Sequence, residues 1–158
     1  MNLLSIDPGS EKHSYVIVDD QYNILEAGEL QTEDMLEKIA ENVADMVLIE
    51  TLASYYQVFG NELIQTAIMA GRLYQKCKDL LVPCELITRK EYAQAIIGGR
   101  ARGRINDTGL KKALELRFNK KFSKGSILDS SHKRAAYGLA VYYLDKVNIE
   151  NKHGISKT

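Results

Sequence analysis

Two acidic residues stand at the ends of hydrophobic runs. Asp7 closes Met1-Asn2-Leu3-Leu4-Ser5-Ile6 and is followed at once by Pro8-Gly9-Ser10, and Glu50 closes Met46-Val47-Leu48-Ile49. Short apolar runs of this kind read as buried strands. An ionised carboxylate at a strand end is costly unless something pairs with it. A hard divalent cation such as Mg²⁺ is a natural partner for carboxylate oxygens. The competing reading has both acids capping turns in solvent, where most acids lie. A third group comes from Asp129-Ser130-Ser131-His132. His132 could ligate a metal or carry a proton near neutral pH. Asp129 shares its helix face if it lies in or near the first turn, but a residue just ahead of a helix often only caps it.

The elements that must position these groups follow from periodicity. Residues 3–7, 13–18 and 23–30 read as strands, with Asp19-Asp20-Gln21 turning between the last two. Thr32 caps a helix over 33–43, with Leu36, Ile39, Ala40 and Val43 at helical spacing. Residues 46–50 form a fourth strand. A long helix follows over 57–79, with Leu63, Ile64, Ala67, Ile68, Ala70 and Gly71 along one broad face. Cys84-Glu85-Leu86-Ile87 is a fifth strand after Pro83. Thr88-Arg89-Lys90-Glu91 has capping-box spacing and opens a helix that Gly98-Gly99 stops. Further helices cover 107–119, with Leu110, Ala113, Leu114 and Leu116 apolar, and 130–147, with Ser130 or Ser131 as cap and Ala136, Leu139, Ala140 and Tyr143 toward the core. A polar tail begins near 149.

This order predicts an α/β fold, a five-stranded mixed sheet with helices on both faces. Crossover connections make strands one, four and five parallel. Asp7 and Glu50 then leave the same sheet edge, at the carboxyl ends where α/β sheets place their sites. The final helix can direct its first turn at both.

At 158 residues the chain reads as one domain with a polar tail. Its 45% hydrophobic and 27% charged composition is that of an ordinary globule. It has neither a run long enough to span a bilayer nor a signal-peptide pattern. Cys77 and Cys84 read as reduced core fillers, which with the missing signal points to the cytoplasm. The net charge of zero hides a polarity: residues 1–70 hold 13 acidic and 2 basic side chains, against 8 and 19 in residues 71–158. The basic half points to nucleic acid. Arg100, Arg102 and Arg104 alternate with Ala101 and Gly103 after Gly98-Gly99. Guanidinium forks match phosphate geometry, and glycine lets backbone approach closely. Lys111, Lys112, Arg117, Lys120, Lys121 and Lys124 extend the positive surface, and Lys90 adds to it. Phe118 and Phe122 read as core anchors among these charges.

Three segments together resemble the RuvC-type Holliday junction resolvases, which have a ribonuclease H-like fold. They are Leu4-Ser5-Ile6-Asp7-Pro8-Gly9, then Ile49-Glu50 with Gly71-Arg72-Leu73 further on, and His132-Lys133-Arg134-Ala135-Ala136-Tyr137-Gly138-Leu139-Ala140. The likeness covers nearly the whole chain in order. It implies an Mg²⁺-dependent homodimer, with Mn²⁺ as a substitute, that cleaves four-way or other branched DNA using acidic or His positions around two metal ions. On that reading Asp7, Glu50 and His132 bind metal, Asp129 assists, and Arg100, Arg102, Arg104, Lys111, Lys112 and Lys90 hold DNA. One position departs from the family pattern: Ala135 stands where a second acid is expected after His132. That loss leaves open a junction-binding protein that cuts weakly or not at all. Asp7-Pro8-Gly9-Ser10 also resembles the phosphate turn of sugar kinases and actin, although the chain is too short for their second lobe.

Overall fold

The first three apolar runs pair as an antiparallel meander, and the two later strands add in parallel on the other side. In the computed structural model, which describes residues 1–52, 60–98 and 106–152, the strands are β1 (Asn2–Asp7), β2 (Lys12–Asp19), β3 (Ile24–Gln31), β4 (Met46–Thr51) and β5 (Cys84–Thr88). Their order across the sheet is β3-β2-β1-β4-β5. β1 runs antiparallel to β2 and parallel to β4, and β4 runs parallel to β5. The helices are α1 (Thr32–Ala40), α2 (Asn61–Asp79), α3 (Arg89–Ile97), α4 (Asp107–Phe118) and α5 (Ser131–Lys152). This is the expected mixed five-stranded α/β arrangement.

Alternation along the strands builds two cores. Leu3, Val16, Val18, Leu48 and Ile87 pack on one face against α3, α4 and α5, through Tyr92, Leu110, Leu114, Leu139 and Ala140. Leu4, Ile6, Tyr15, Ile17, Val47 and Ile49 pack on the other against Met35, Ile39, Ala70, Leu73 and Cys77 of α1 and α2. Burying each large aliphatic side chain contributes on the order of 1.5–3 kcal/mol. The same alternation aims Asp7, two residues from Ser5 and four from Leu3, at the α5 face. Because Ile6 pairs with Ile49, a one-residue slip would turn Asp7 to the opposite face. Gly9 makes the turn beyond Asp7 tight: a Cβ there would lie 2.4 Å from the Lys12 carbonyl oxygen.

Several elements depart from the sequence expectation. Thr32 does not cap α1; Gln31 holds that position without a side-chain bond, because the Thr32 hydroxyl faces His13 Nε2 at 2.9 Å instead. The buried face of α2 is Ala70, Leu73 and Cys77, whereas Ile64 and Ile68 are about half exposed. The expected start of that helix at 57 lies outside the described residues. In α4 only Leu110 and Leu114 are buried. Leu116, two residues past Leu114, points away from the core and is 86% exposed. α5 continues to Lys152, past the point where the polar tail was expected. No helix among the described residues is long and apolar enough to cross a membrane.

Candidate active site

Asp7 and His132 lie 125 residues apart in sequence, and His132 Nδ1 is 2.8 Å from Asp7 Oδ2. Three features of the chain hold α5 in place to make this contact. Ser130 Oγ accepts from the Lys133 amide at 3.1 Å, capping the first turn. Arg134 donates to the Leu128 and Asp129 carbonyls, 3.0 Å each, which fixes the segment ahead of the helix. Gly138 lets α5 settle against α3 and α4, since a Cβ there would meet Leu110 at 3.3 Å and Tyr92 at 3.4 Å. Asp7 is 8% exposed, whereas the His132 side chain is 70% exposed. A carboxylate only accepts, so Nδ1–H donates to Asp7 and the ring presents Nε2 outward.

Glu50 joins the site from β4. Its Oε2 accepts from the Tyr92 hydroxyl at 2.7 Å, and its Oε1 lies 3.7 Å from an Arg89 nitrogen. The other end of the Arg89 guanidinium pairs with Asp107 at the start of α4. Both Tyr92 and Arg89 ride on α3, whose orientation is set by the expected capping box: Glu91 Oε2 accepts from the Thr88 amide at 2.8 Å, and the Glu91 amide donates to Thr88 Oγ1. Sequence reasoning placed that box and named Arg89 only among single charges that could touch DNA, and it missed Tyr92 and Asp107 as site residues. A cation at the first position of a helix, where the dipole disfavours it, was the available signal for Arg89.

The electrostatics follow from burial and from the two acids sharing one end of the sheet. Burial, then the charge of Asp7, holds the Glu50 carboxyl up at about 7. The hydrogen bond to Asp7 raises the His132 imidazole above its ordinary value, against the opposing effect of burial. The described cleft beside Asp7, about 330 Å³, is lined by Glu11, Glu29, Glu62 and Lys12 as well as His132. Two mutually repelling carboxylates are a donor set that a hard cation would relieve, so the residues fit the Mg²⁺ that the sequence implies. Among the described residues no three His, Cys, Asp or Glu side chains are already close enough together to hold a metal ion. Asp129 is paired elsewhere, to Lys133 Nζ at 3.1 Å, which lowers its pKa. Ala135 is fully buried and carries no donor atom.

A pH effect on stability follows. For both Glu50 and His132 the folded chain keeps a proton that the unfolded chain would have released. Their stabilising contribution is therefore present below the unfolded values of 4.5 and 6.5 and is lost as pH rises through the higher folded values. Above pH 5.5 the depressed carboxyls of Glu26, Glu91 and Asp129 stay ionised throughout, whereas His13, held below its ordinary value first by burial, acts in the opposite sense as pH rises toward and past 6.5. Without divalent ions, the melting temperature of the parent relative to that of Glu50→Gln should fall by roughly 5 °C between pH 5.5 and 8, which isolates the Glu50 contribution from that of His13. A difference between the two chains that stays constant over this range would contradict the assignment.

The basic half resolves into used and unused charges. Arg117 makes a bidentate pair with Asp145, at 2.6 and 2.7 Å, and so is committed to the fold. Lys111 and Lys121 each lie 3.9 Å from Glu115. Lys112, Lys120 and Lys124 are exposed and have no ion pair among the described residues. Lys90 is exposed at the start of α3. Arg100, Arg102 and Arg104 lie outside the described residues. Phe122 is buried and Phe118 packs against the core, as expected.

No family model and no curated protein matches the sequence. Among solved structures, Thermus thermophilus RuvC matches with a TM-score of 0.68 at 16% identity, covering 94% of this chain and 96% of that one. The chain folds as RuvC does. The Thermus thermophilus RuvC structure in complex with a Holliday junction substrate matches with the same TM-score at 15% identity, over 94% of this chain and 96% of that one. The fowlpox virus Holliday junction resolvase matches with a TM-score of 0.56 at 13% identity, over 92% and 99%. At these identities the likeness establishes the RuvC fold, and the chemistry must be argued from the site.

Proposed function

We propose that this chain is an Mg²⁺-dependent, structure-selective endonuclease that hydrolyses phosphodiesters in four-way or other branched DNA, acting as a homodimer. The observation that carries the reading is the Asp7–His132 contact at 2.8 Å beside Glu50, three groups brought to the carboxyl ends of parallel strands. Support comes from the fold, shared with a RuvC solved on a Holliday junction. Asp7 and Glu50 would hold the cation, with Mn²⁺ as a substitute and Asp129 as a more distant helper. A bound divalent ion activates water and neutralises charge on a phosphate. His132, oriented by Asp7, presents Nε2 to the cleft as ligand or proton carrier. Hydrolysis adds water across one P–O bond, leaving a phosphate monoester on one fragment and a hydroxyl on the other. A labelled four-way junction incubated with Mg²⁺ or Mn²⁺ tests the proposal directly, and an intact junction under both would overturn it.

Ala135 favours a second reading, a junction-binding protein with weakened or absent cleavage. Tight junction binding with no product would establish it. In either case Lys112 and Lys120, with Lys90, Lys111 and the arginines at 100, 102 and 104, would grip phosphates. Each phosphate neutralised contributes about 0.9 to the slope of log affinity against log salt. The double variant Lys112→Gln/Lys120→Gln should therefore lower that slope by about 1–2, measured by fluorescence anisotropy at several salt concentrations. An unchanged slope would remove α4 from the DNA-binding surface.

Two cuts on a branched substrate need two sites, and α2 offers a face for a symmetric partner. Ile64 and Ile68 are exposed on one side of the helix, with the small residues Ala67 and Gly71 exposed between and beyond them. Such a stripe lets two helices approach closely. Ile68→Glu should shift sedimentation from dimer to monomer by at least about tenfold in dissociation constant, since a desolvated charge there costs more than 1.4 kcal/mol. A variant that sediments like the parent would place the interface elsewhere.

A further inference from the structure

We infer that this centre takes one divalent cation per protomer, on Asp7, and that the Arg89 guanidinium supplies the second positive charge on the Glu50 side. The inference rests on the nuclease reading and narrows its metal assignment, which gives the cation to Asp7 and Glu50 together, to Asp7 alone. Both Glu50 oxygens are already engaged by the chain, Oε2 by the Tyr92 hydroxyl at 2.7 Å and Oε1 by Arg89 at 3.7 Å. Asp7 differs: Oδ2 faces His132 Nδ1, while Oδ1 has no hydrogen bond or ion pair among the described residues. A single open carboxylate oxygen suits an ion that keeps several waters.

The position expected to bring another carboxylate brings none. Ala135, one turn along α5 from His132, is fully buried and has only a methyl group. Arg89 meanwhile sits where a cation is intrinsically disfavoured, at the first residue of α3. It is retained there by Glu50 on one side and by Asp107 on the other. Two helix starts are thus brought together around one guanidinium. Its planar fork also matches phosphate oxygens in a way that an ammonium group does not, so a phosphodiester brought to this end of the sheet would meet a guanidinium on the Glu50 side.

Mn²⁺ binding to the full chain without DNA, counted by electron paramagnetic resonance and calorimetry, tests this. The parent should bind one Mn²⁺ per chain. Arg89→Gln, which releases Glu50, should bind two, and Arg89→Lys, which keeps the charge without the fork, should bind one while cutting junctions at least tenfold more slowly. Two Mn²⁺ per chain in the parent would overturn the inference, as would a single Mn²⁺ in folded Arg89→Gln or full-rate cleavage by Arg89→Lys. Circular dichroism melts show whether each variant is folded, and Arg89→Lys carries the test if Arg89→Gln is not. One Mn²⁺ with the Arg89-dependent second, but no junction cleavage, would sink the nuclease reading and leave this inference standing. Cleavage with two Mn²⁺ per chain would do the reverse.

Discussion

Asp7→Asn should lower single-turnover cleavage of a four-way junction by about a thousandfold or more, with junction affinity unchanged within about threefold. The rate loss corresponds to about 4 kcal/mol of transition-state stabilisation, the scale expected when a carboxylate ligand to a catalytic cation is replaced by a neutral amide. Asparagine can still accept from His132 Nδ1–H with its side-chain oxygen, so the contact that seats α5 on β1 survives. This makes Asn a sharper test than Ala, which would leave the imidazole facing an empty position. Affinity should hold because removing one negative charge from the cleft cannot weaken the grip of lysines on α4. If Asp7→Asn still cuts within tenfold of the parent, the metal assignment is wrong, whatever the fold.

The strands were legible in the sequence because short apolar runs such as Leu3-Leu4-Ser5-Ile6 leave a local trace, but their faces were not, since β1 is buried on both sides and only the packing separates Leu3 from Leu4 and Ile6. The Thr88 capping box was legible for the same reason, since its three-residue spacing is local. What stayed hidden was the set of contacts made across elements. Tyr92 and Arg89 reach Glu50 only once α3 lies across the ends of β4 and β5, and no short-range pattern announces that placement. Arg117 and Lys112 look alike in sequence, yet Asp145, 28 residues further on, takes Arg117 out of the positive surface. Leu116 misled for a different reason: helical spacing identifies apolar residues, but two positions from Leu114 is nearly half a turn away from the core.

Ala135→Asp should destabilise the chain in the absence of divalent ions and restore it in their presence. The methyl group at 135 is fully enclosed, so a carboxylate there is taken out of water with no donor provided for it, at a cost on the order of 3 kcal/mol. For a chain of this size that lowers the melting temperature by roughly 6–12 °C. A cation that binds the folded variant at a hundredfold excess over its dissociation constant returns about 2.7 kcal/mol, most of the loss. The parent should gain less from the same Mn²⁺ concentration, because it offers fewer carboxylate ligands. The accompanying change in cleavage then decides what Ala135 means. A gain below tenfold fits a centre already balanced by Arg89, in which a second ion adds little. A gain of a hundredfold or more would mean that the chain lacks a ligand it needs, and that the Arg89–Glu50 contact only fills the gap. Equal melting of Ala135→Asp and the parent without metal would show that residue 135 is open to water, contrary to its place on the buried side of α5.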